Sequence, residues 1–319
     1  MLTRRIVTAG LGLSFMTPGV FAQEPAPATK PVESPEPVLI LDASLDPDDR
    51  LTVEVTLNGV GPFQFIVDSG AGRSVLSETL ANRLALAQGP DILVHGISGS
   101  IIARTAKVAQ LMVGDARLSN VNLPVLPPER VGADGFLGVD ILEGRNVIMD
   151  FRKRKLEVRR SRSPFDLVRL PREVSVMADD RFGRLTVADC RVAGARALAF
   201  VDSGGGVSIG NKALSRAIAT RRRRHDDVRS AQLLTASGEV TVGEYRIAPS
   251  LTLGDLRMTN VPMAFADLHI FDVWGLNDRP ALLLGVDILK LFSRVELDFG
   301  AGRVLFRIGG VTPPRVLSA

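Results

Sequence analysis

The segment FIVDSGAGRSVLS, residues 65–77, indicates the fold of the chain, because it recurs in similar form as AFVDSGGGVSIG at residues 199–210. Each copy is an apolar run, then Asp-Ser-Gly, then small residues and another apolar run. The two acidic residues, Asp68 and Asp202, are separated by 134 positions (202 − 68). Each copy alone is typical of a β-strand that ends in a tight turn, since Asp, Ser and Gly are favoured turn residues.

The repeat extends well beyond these triplets. Four more matched pairs are LTV at 51–53 and 185–187, LMVGDARLSNV at 111–121 and LTLGDLRMTNV at 251–261, FLGVDIL at 136–142 and LLGVDIL at 283–289, and IMDFRKRKLEV at 148–158 and ELDFGAGRVLF at 296–306. The offset grows along the chain, which indicates short loop insertions in the second half. Repeats of about 20–50 residues indicate solenoids, whereas this much longer period indicates a whole lobe that is duplicated once.

Composition agrees with two lobes built mainly of strands. The chain has 319 residues, 45% of them hydrophobic and 5% aromatic, with one Trp and one Tyr, so we expect its cores to consist mainly of Val, Leu and Ile. Short alternating apolar runs predict an all-β fold with few short helices, arranged as two pseudo-symmetric lobes with a cleft between them. We expect lobe 1 at residues 39–160, lobe 2 at 161–310 and a tail at 311–319. The basic stretch at 152–164 is expected to link the lobes.

The N-terminus has the features of a targeting segment. Arg4 and Arg5 form a basic region, Ile6 to Val20 is mostly apolar, and Ala22 fits a small-residue cleavage site. Residues 1–22 therefore predict a signal peptide, by the ordinary secretory or the twin-arginine route, and export to the periplasm or beyond the cell. Residues 23–38, rich in Pro, Ala and Glu, predict a disordered spacer. The mature chain contains no apolar stretch long enough to span a membrane.

Charge, cysteine and histidine usage exclude several function classes. The net charge of +4 is small for this length and does not indicate a nucleic-acid partner. The one dense basic cluster, Arg221–Arg224, precedes Asp226 and Asp227, which favours a solvated helix end; docking on an anionic membrane is the alternative. The single cysteine, Cys190, allows no internal disulfide, and the three His lack metal-ligand spacing, so we expect no metal and no other cofactor.

Two carboxylates brought together would give the chain its chemistry. A pair that shares one proton can hydrolyse a peptide bond, because the ionised member accepts a proton from water while the protonated member donates to the scissile carbonyl. One Asp-Ser-Gly triplet favours a plain turn. Two in register, each followed by an apolar-apolar-Gly motif, favour catalysis by Asp68 and Asp202. Gly70 and Gly204 allow the backbone to turn tightly beside each carboxylate.

With these motifs the chain resembles the retropepsin-like and pepsin-like aspartic proteases, most closely the bacterial gag-type aspartyl proteases in a tandem form. The resemblance covers about residues 45–308 and rests on the two triplets and on the apolar-apolar-Gly segments 136–138 and 283–285. It implies acid-protease-like lobes that each supply one catalytic Asp, with Ser69 and Ser203 cross-linking the two loops. The expected activity is that of an exported, monomeric aspartic endopeptidase acting on protein or peptide substrates of the cell envelope.

A protease of this kind needs a cover over its substrate. Gly- and Ser-rich hairpin tips occur at residues 94–100 and 235–239, at fitting distances from the two triplets. The flap residues that we expect to contact substrate are Gly96, Ile97, Ser98, Gly99, Ala236, Ser237 and Gly238. Such tips can open for an extended peptide and close over it. An ordinary pair of hairpins is the alternative interpretation.

Two further patterns qualify this hypothesis. The second triplet is followed by Gly205 and Gly206, where the resembled proteins prefer a residue with some bulk, and extra glycine can loosen the loop. A catalytically weak or inactive peptide-binding protein is therefore the alternative function. Asp140 and Asp287, in the repeated GVDIL, are predicted as N-caps of short helices, and helices are also predicted at 77–85 and 211–219.

Overall fold

The computed structural model describes residues 39–45, 50–97, 99–161, 173–181, 184–219, 229–234 and 240–309. Within these residues the protein is mostly β-strand with few short helices, which confirms the predicted fold class. The predictions for the signal peptide and spacer (1–38), Ser98, Arg221–Arg224, the second flap tip (Ala236, Ser237, Gly238) and the tail at 311–319 lie outside the described residues.

The two halves present their elements in the same order. The first half contains β1 (Leu39–Leu45), β2 (Leu51–Leu57), β3 (Val60–Val67), β4 (Val75–Ser77), α1 (Glu78–Arg83), β5 (Gln88–His95), β6 (Ser100–Val113), β7 (Ala116–Leu126), α2 (Pro128–Val131), β8 (Gly135–Leu137), α3 (Val139–Leu142), β9 (Arg145–Asp150) and β10 (Lys155–Arg160). The second half contains β11 (Glu173–Arg181), β12 (Arg184–Val192), β13 (Ala195–Val201), β14 (Ile209–Gly210), α4 (Lys212–Ala219), β15 (Arg229–Leu234), β16 (Val240–Leu253), β17 (Leu256–Phe265), α5 (His269–Val273), β18 (Ala281–Leu284), α6 (Val286–Leu289), β19 (Arg294–Asp298) and β20 (Arg303–Arg307).

Each half closes into a six-stranded barrel. In lobe 1 the strands pair in the cycle β2–β3–β8–β4–β7–β6–β2. Lobe 2 repeats the cycle as β12–β13–β18–β14–β17–β16–β12. Alternate residues fill each barrel, so that Val53, Val55 and Leu57 of β2 are at most 1% exposed. Outside the barrels, β5 extends β6 and β15 extends β16 as projecting hairpins.

A third sheet joins the lobes. Its order is β1–β10–β9–β19–β20–β11, with β9 and β19 antiparallel at the centre. The expected linker at 152–164 is partly wrong, because residues 155–160 form β10 inside this sheet. Leu156 and Val158 alternate with polar residues and are at most 2% exposed, which explains why this basic stretch is a strand.

The predicted helices at 77–85 and 211–219 are confirmed, and each begins at a polar cap. The Ser77 hydroxyl accepts a hydrogen bond from the Leu80 N–H at 3.2 Å at the start of α1. The Asn211 side-chain oxygen accepts one from the Leu214 N–H at 2.8 Å at the start of α4. Both bonds satisfy N–H groups that have no partner within the helix.

The predicted N-caps Asp140 and Asp287 are wrong. Helices α3 and α6 begin two residues earlier than expected, and their N-caps are Gly138 and Gly285, which have extended backbone. Both Asp residues thus lie within the first helical turn. Their side chains accept hydrogen bonds from serines in the turns that follow the Asp-Ser-Gly triplets, as described below.

Candidate active site

Asp68 and Asp202 lie where β3 and β13 end, and the apolar-apolar-Gly segments support both positions. The Asp68 N–H donates to the Leu137 carbonyl at 2.9 Å, and the Asp202 N–H donates to the Leu284 carbonyl at 3.0 Å. These bonds continue the parallel pairings of β3 with β8 and of β13 with β18. The glycine of each segment lets it approach closely, since a methyl group on Gly138 would overlap the backbone of the loop that follows Asp68.

The serines of the two triplets cross-link the lobes beneath the acidic pair. Ser69 Oγ donates to the Val201 carbonyl at 2.9 Å and accepts from the Ser203 N–H at 3.0 Å. Ser203 Oγ donates to the Val67 carbonyl at 2.8 Å and accepts from the Ser69 N–H at 3.0 Å. Both serines are at most 2% exposed. Four reciprocal hydrogen bonds therefore fix the two loops relative to each other.

The two carboxylates face the same small volume. In each loop, Oδ1 accepts hydrogen bonds from the N–H groups two and three residues further on, at 2.8 and 3.0 Å for Asp68 and at 3.1 and 2.9 Å for Asp202. A methyl group on Gly70 would lie 2.6 Å from Asp202 Oδ1 and 3.1 Å from Asp68 Oδ1. One on Gly204 would overlap the Asp68 carboxylate. Each triplet glycine thus makes room for the opposite acid.

Burial and mutual repulsion disfavour ionisation of this pair. Burial, and next the charge of Asp202, raise the pKa of Asp68 from 3.8 to about 7, although the Gly70 N–H opposes the rise. Burial likewise raises the pKa of Asp202, which is 7% exposed, against the opposing N–H groups of its own loop. Two such carboxyl groups titrate as a unit, so one proton remains on the pair well above the ordinary range for Asp.

Arg50 and Arg184 flank the pair, one from each lobe. Arg50 Nη1 donates to the Gly204 carbonyl at 3.3 Å, and Arg184 Nε donates to the Gly70 carbonyl, so each guanidinium binds the opposite triplet. Arg184 also lies 5.7 Å from the centre of the Trp274 ring. The positive charge of Arg184 opposes the pKa rise of both carboxyl groups, and that of Arg50 opposes the rise of the lobe 2 group.

A second serine in each loop binds the acid of the GVDIL motif. Ser74 Oγ donates to Asp140 Oδ1 at 2.7 Å and accepts from the Gly138 N–H at 3.1 Å. In the same way, Ser208 Oγ donates to Asp287 Oδ1 at 2.6 Å and accepts from the Gly285 N–H at 2.9 Å. These contacts tie the far end of each triplet loop to the short helix behind it.

Sequence reasoning missed these serines and arginines, although the repeat contained a signal for both. The matched LTV segments are each preceded by Arg, so the repeat reads RLTV at 50–53 and at 184–187. Ser74 and Ser208 are also separated by the offset of the two triplets. The signal was a polar residue that occurs at the same position in both copies. It is a serine shortly after each triplet and an arginine directly before each LTV segment.

A cavity of about 500 Å³ opens over the two carboxylates and is covered by the β5–β6 hairpin. Of the predicted flap residues, Gly96, Ile97 and Gly99 line this cavity. The tip reaches lobe 2, since His95 Nδ1 lies 3.1 Å from His269 Nε2. Ile97 packs against the apolar cluster of lobe 2 that includes Phe200, Leu268, Ile270 and Phe271. The first tip therefore spans the cleft.

Other chemistries have little support among the described residues. No group of three or more His, Cys, Asp or Glu side chains there could hold a metal ion. Cys190 is fully buried, and burial followed by the charge of Asp189 raises the pKa of its thiol to about 12, which opposes formation of a nucleophilic thiolate. No helix in this part of the chain has the length and apolarity that a membrane span requires.

Comparison with known proteins agrees with this geometry. A family model described as aspartyl protease matches residues 53–141 and 188–288, which together make up more than half of the chain. Each matched segment lies in one lobe and contains one Asp-Ser-Gly triplet and one apolar-apolar-Gly motif. A search of curated proteins found no match.

Proposed function

Since the chain belongs to the aspartyl protease family, we propose that it is an aspartic endopeptidase in which Asp68 and Asp202 jointly activate a water molecule. The observation that carries this proposal is the position of the two carboxylates, one from each lobe, on a common volume at the base of a covered cavity. Because both acids come from one chain, the site is complete in a monomer.

The mechanism requires one proton on the pair. The ionised carboxylate takes a proton from water as the water oxygen attacks the scissile carbonyl carbon, and the protonated carboxyl donates to the carbonyl oxygen. The resulting tetrahedral intermediate collapses when the peptide nitrogen receives a proton from the pair and the C–N bond breaks. The raised pKa of Asp68, about 7, supports a singly protonated pair up to neutral pH.

The surrounding bonds keep the two acids in place during these steps. The Ser69–Ser203 cross-link and the backbone N–H groups hold both carboxylates before substrate arrives, so little reorganisation is needed during reaction. The hairpin that carries Gly96, Ile97 and Gly99 would cover an extended peptide bound along the cleft and exclude water from it.

Export to the cell envelope forms part of the proposal. Its support is the basic and then apolar N-terminal segment, which is typical of secreted proteins. The substrates would then be envelope proteins or peptides. Fractionation of the producing cell, with an epitope at the C-terminus, tests this point: recovery of the chain in the cytoplasm, at its unprocessed mass, would contradict it.

The alternative of a weak or inactive peptide-binding protein rested on the extra glycines of the second loop. Gly205, however, makes the same pair of backbone bonds as Ala71. Its N–H donates to Asp202 at 2.9 Å, and its carbonyl accepts from the Val286 N–H at 2.8 Å. The corresponding bonds of Ala71 measure 3.0 and 2.8 Å. The second loop thus holds its carboxylate with nearly the same hydrogen-bond lengths as the first loop, which supports an active pair of acids.

Cleavage of an unfolded protein mixture, with products identified by mass spectrometry, tests the proposed function. Asp68→Asn and Asp202→Asn should each abolish cleavage. A single remaining acid cannot at once accept a proton from water and donate one to the scissile carbonyl. Asp255→Asn, at an exposed turn in lobe 2, is the matched control and should cleave at the wild-type rate. Binding of peptides by the wild type without any cleavage would favour the peptide-binding alternative.

A further inference from the structure

The cleft is unequal on its two sides, although the lobes are repeats. Lobe 1 contributes Arg73 and Arg130 to the cavity wall. The equivalent of Arg73 in the lobe 2 copy of the repeat is Val207, which is 50% exposed. Helix α5, the counterpart of α2, contributes Ile270 to the wall, whereas α2 contributes Arg130. A symmetric dimer of one lobe would have identical sides, so this difference depends on the tandem chain.

The two lobe 1 guanidinium groups are available to a ligand. In the described part of the chain, the side chains of Arg73 and Arg130 form no hydrogen bond or ion pair, unlike those of Arg50 and Arg184. Arg73 is exposed and Arg130 is half-buried. An arginine in a cavity wall can bind a carboxylate through two parallel hydrogen bonds.

The surroundings favour a carboxylate that arrives on an otherwise apolar peptide. Apolar residues form much of the wall on the lobe 1 side, among them Val75, Ile92, Ile101, Leu126 and Phe136. Because such a wall displaces water, a charge pair formed beside it is screened less than on an open surface. The acidic lining residues of the cavity are Asp68 and Asp202, which share a proton, against four arginines. The cavity therefore has a net positive lining.

We propose that Arg73 and Arg130 form a subsite for an acidic side chain, so that the preferred substrates are peptides with Glu or Asp bound on the lobe 1 side of the cleft. This inference rests on the proposed function and specifies its substrate class. The apolar wall accepts the neighbouring residues of the peptide, while the two guanidinium groups select for a negative charge. Neutral peptides of the same length bind without that contact and are cleaved more slowly.

The test uses pairs of randomised decapeptide mixtures that differ only in having Glu or Gln fixed at one position. For the position that faces lobe 1, the wild-type chain should cleave the Glu mixture with a kcat/KM at least about fivefold higher, which corresponds to about 1 kcal/mol. Arg73→Ser and Arg130→Ser should each reduce this ratio, and the double variant should bring it to about one. Arg257→Ser, at an exposed position of β17 outside the cleft, is the matched control and should leave it unchanged.

Charge reversal makes the test sharper. Arg130→Glu should lose the preference for Glu and cleave a mixture with Lys at the same position faster than the Gln mixture. Raising the salt concentration should lower the wild-type Glu to Gln ratio, because partly exposed charges are screened. Cleavage with equal rates for Glu and Gln at every position, or an unchanged ratio in the double variant, overturns the subsite while leaving the protease proposal intact.

Binding separates failure of the subsite from failure of catalysis. If no mixture is cleaved, the protease proposal fails, and fluorescence anisotropy with labelled peptide mixtures and the full chain tests the subsite by itself. The Glu mixture should bind about fivefold more tightly than the Gln mixture, and this difference should disappear in the Arg73→Ser, Arg130→Ser double variant. Equal binding of the two mixtures, or no binding of either, overturns the subsite.

Discussion

Ser69 and Ser203 bind each other reciprocally across the lobe boundary, each hydroxyl accepting the other residue's N–H at 3.0 Å. Each hydroxyl also donates to a carbonyl of the opposite lobe. Since all these groups are buried, removing one hydroxyl leaves a buried N–H and a buried carbonyl without a partner. The cross-link thus connects the folding of the two lobes with the placement of Asp68 and Asp202.

Ser69→Ala should therefore reduce both stability and activity. We expect the free energy of unfolding to fall by about 1–3 kcal/mol and kcat to fall about tenfold, because the carboxylates lose their fixed spacing. Denaturant unfolding and peptide cleavage measure the two effects. Ser119→Ala, at an exposed position of β7, is the control. Loss of stability with unchanged kcat would show that the cross-link has no part in positioning the acids.

A methyl group on Gly205 should disturb the site more than removal of one from Ala71. It would lie 2.8 Å from Asp202 Oδ2, so the carboxylate must shift. We expect Gly205→Ala to lower kcat/KM about tenfold, since small displacements of reacting groups are costly. Ala71→Gly, the matched change in lobe 1, should lower it less than threefold by the same reasoning. Equal effects of the two variants would contradict this account of the second loop.

The pH dependence of stability should reveal the raised pKa of Asp68. Between about pH 4 and 7 the unfolded chain loses the Asp68 proton while the folded chain retains it, so stability falls as pH rises through this window. Asp68→Asn removes the effect. The variant should match the wild type near pH 4 and be more stable at pH 7, by an amount on the order of 1–4 kcal/mol. Chemical denaturation at several pH values measures it, and parallel profiles for the two proteins would refute the assignment.

The pH dependence of activity should reflect the same proton on the Asp68–Asp202 pair. The rate should decline above about pH 7, when the pair loses the proton that one acid must donate. A pH profile of kcat/KM on one peptide measures this. The Asp255→Asn control should show the wild-type profile, and a rate that rises steadily from pH 7 to 9 would be incompatible with a singly protonated pair.

The contact between His95 and His269 should hold the flap tip closed. His95→Ala and His269→Ala should each speed hydrogen exchange of the backbone amides at residues 94–97 about fivefold, because the tip loses a link to α5. The double variant should exchange no faster than either single variant, since both changes break one contact. Exchange that is unaffected by either change would show that the tip is held by the Ile97 packing alone.

The repeat predicted most of the fold. It predicted two lobes with the same order of elements, because one sequence pattern in two copies favours one structure in two copies. The alternating apolar runs that predicted an all-β fold are seen in β2, Leu51–Leu57, whose apolar residues all point into the barrel. The predicted helix starts at Ser77 and Asn211 also depend on local bonds, which a sequence reveals.

Contacts between distant segments were harder to predict. Asp140 has the residue type of an N-cap, but the barrel brings Ser74 within 2.7 Å of it, and this contact determines its role. Arg50 and Arg184 reach the opposite lobe, which depends on how the third sheet sets the lobes against each other. Residues 155–160 likewise form a strand because β1 and β9, from distant parts of the first half of the chain, pair with them on either side.

Joint action of Asp68 and Asp202 on one water molecule is tested by cleavage in H₂¹⁸O, with the wild type and with the two Asn variants. The wild type should place one ¹⁸O atom per cleavage in the new carboxyl group of the N-terminal product, and Asp68→Asn and Asp202→Asn should both form no product. Wild-type rates in either single variant, with the same ¹⁸O incorporation, would contradict it.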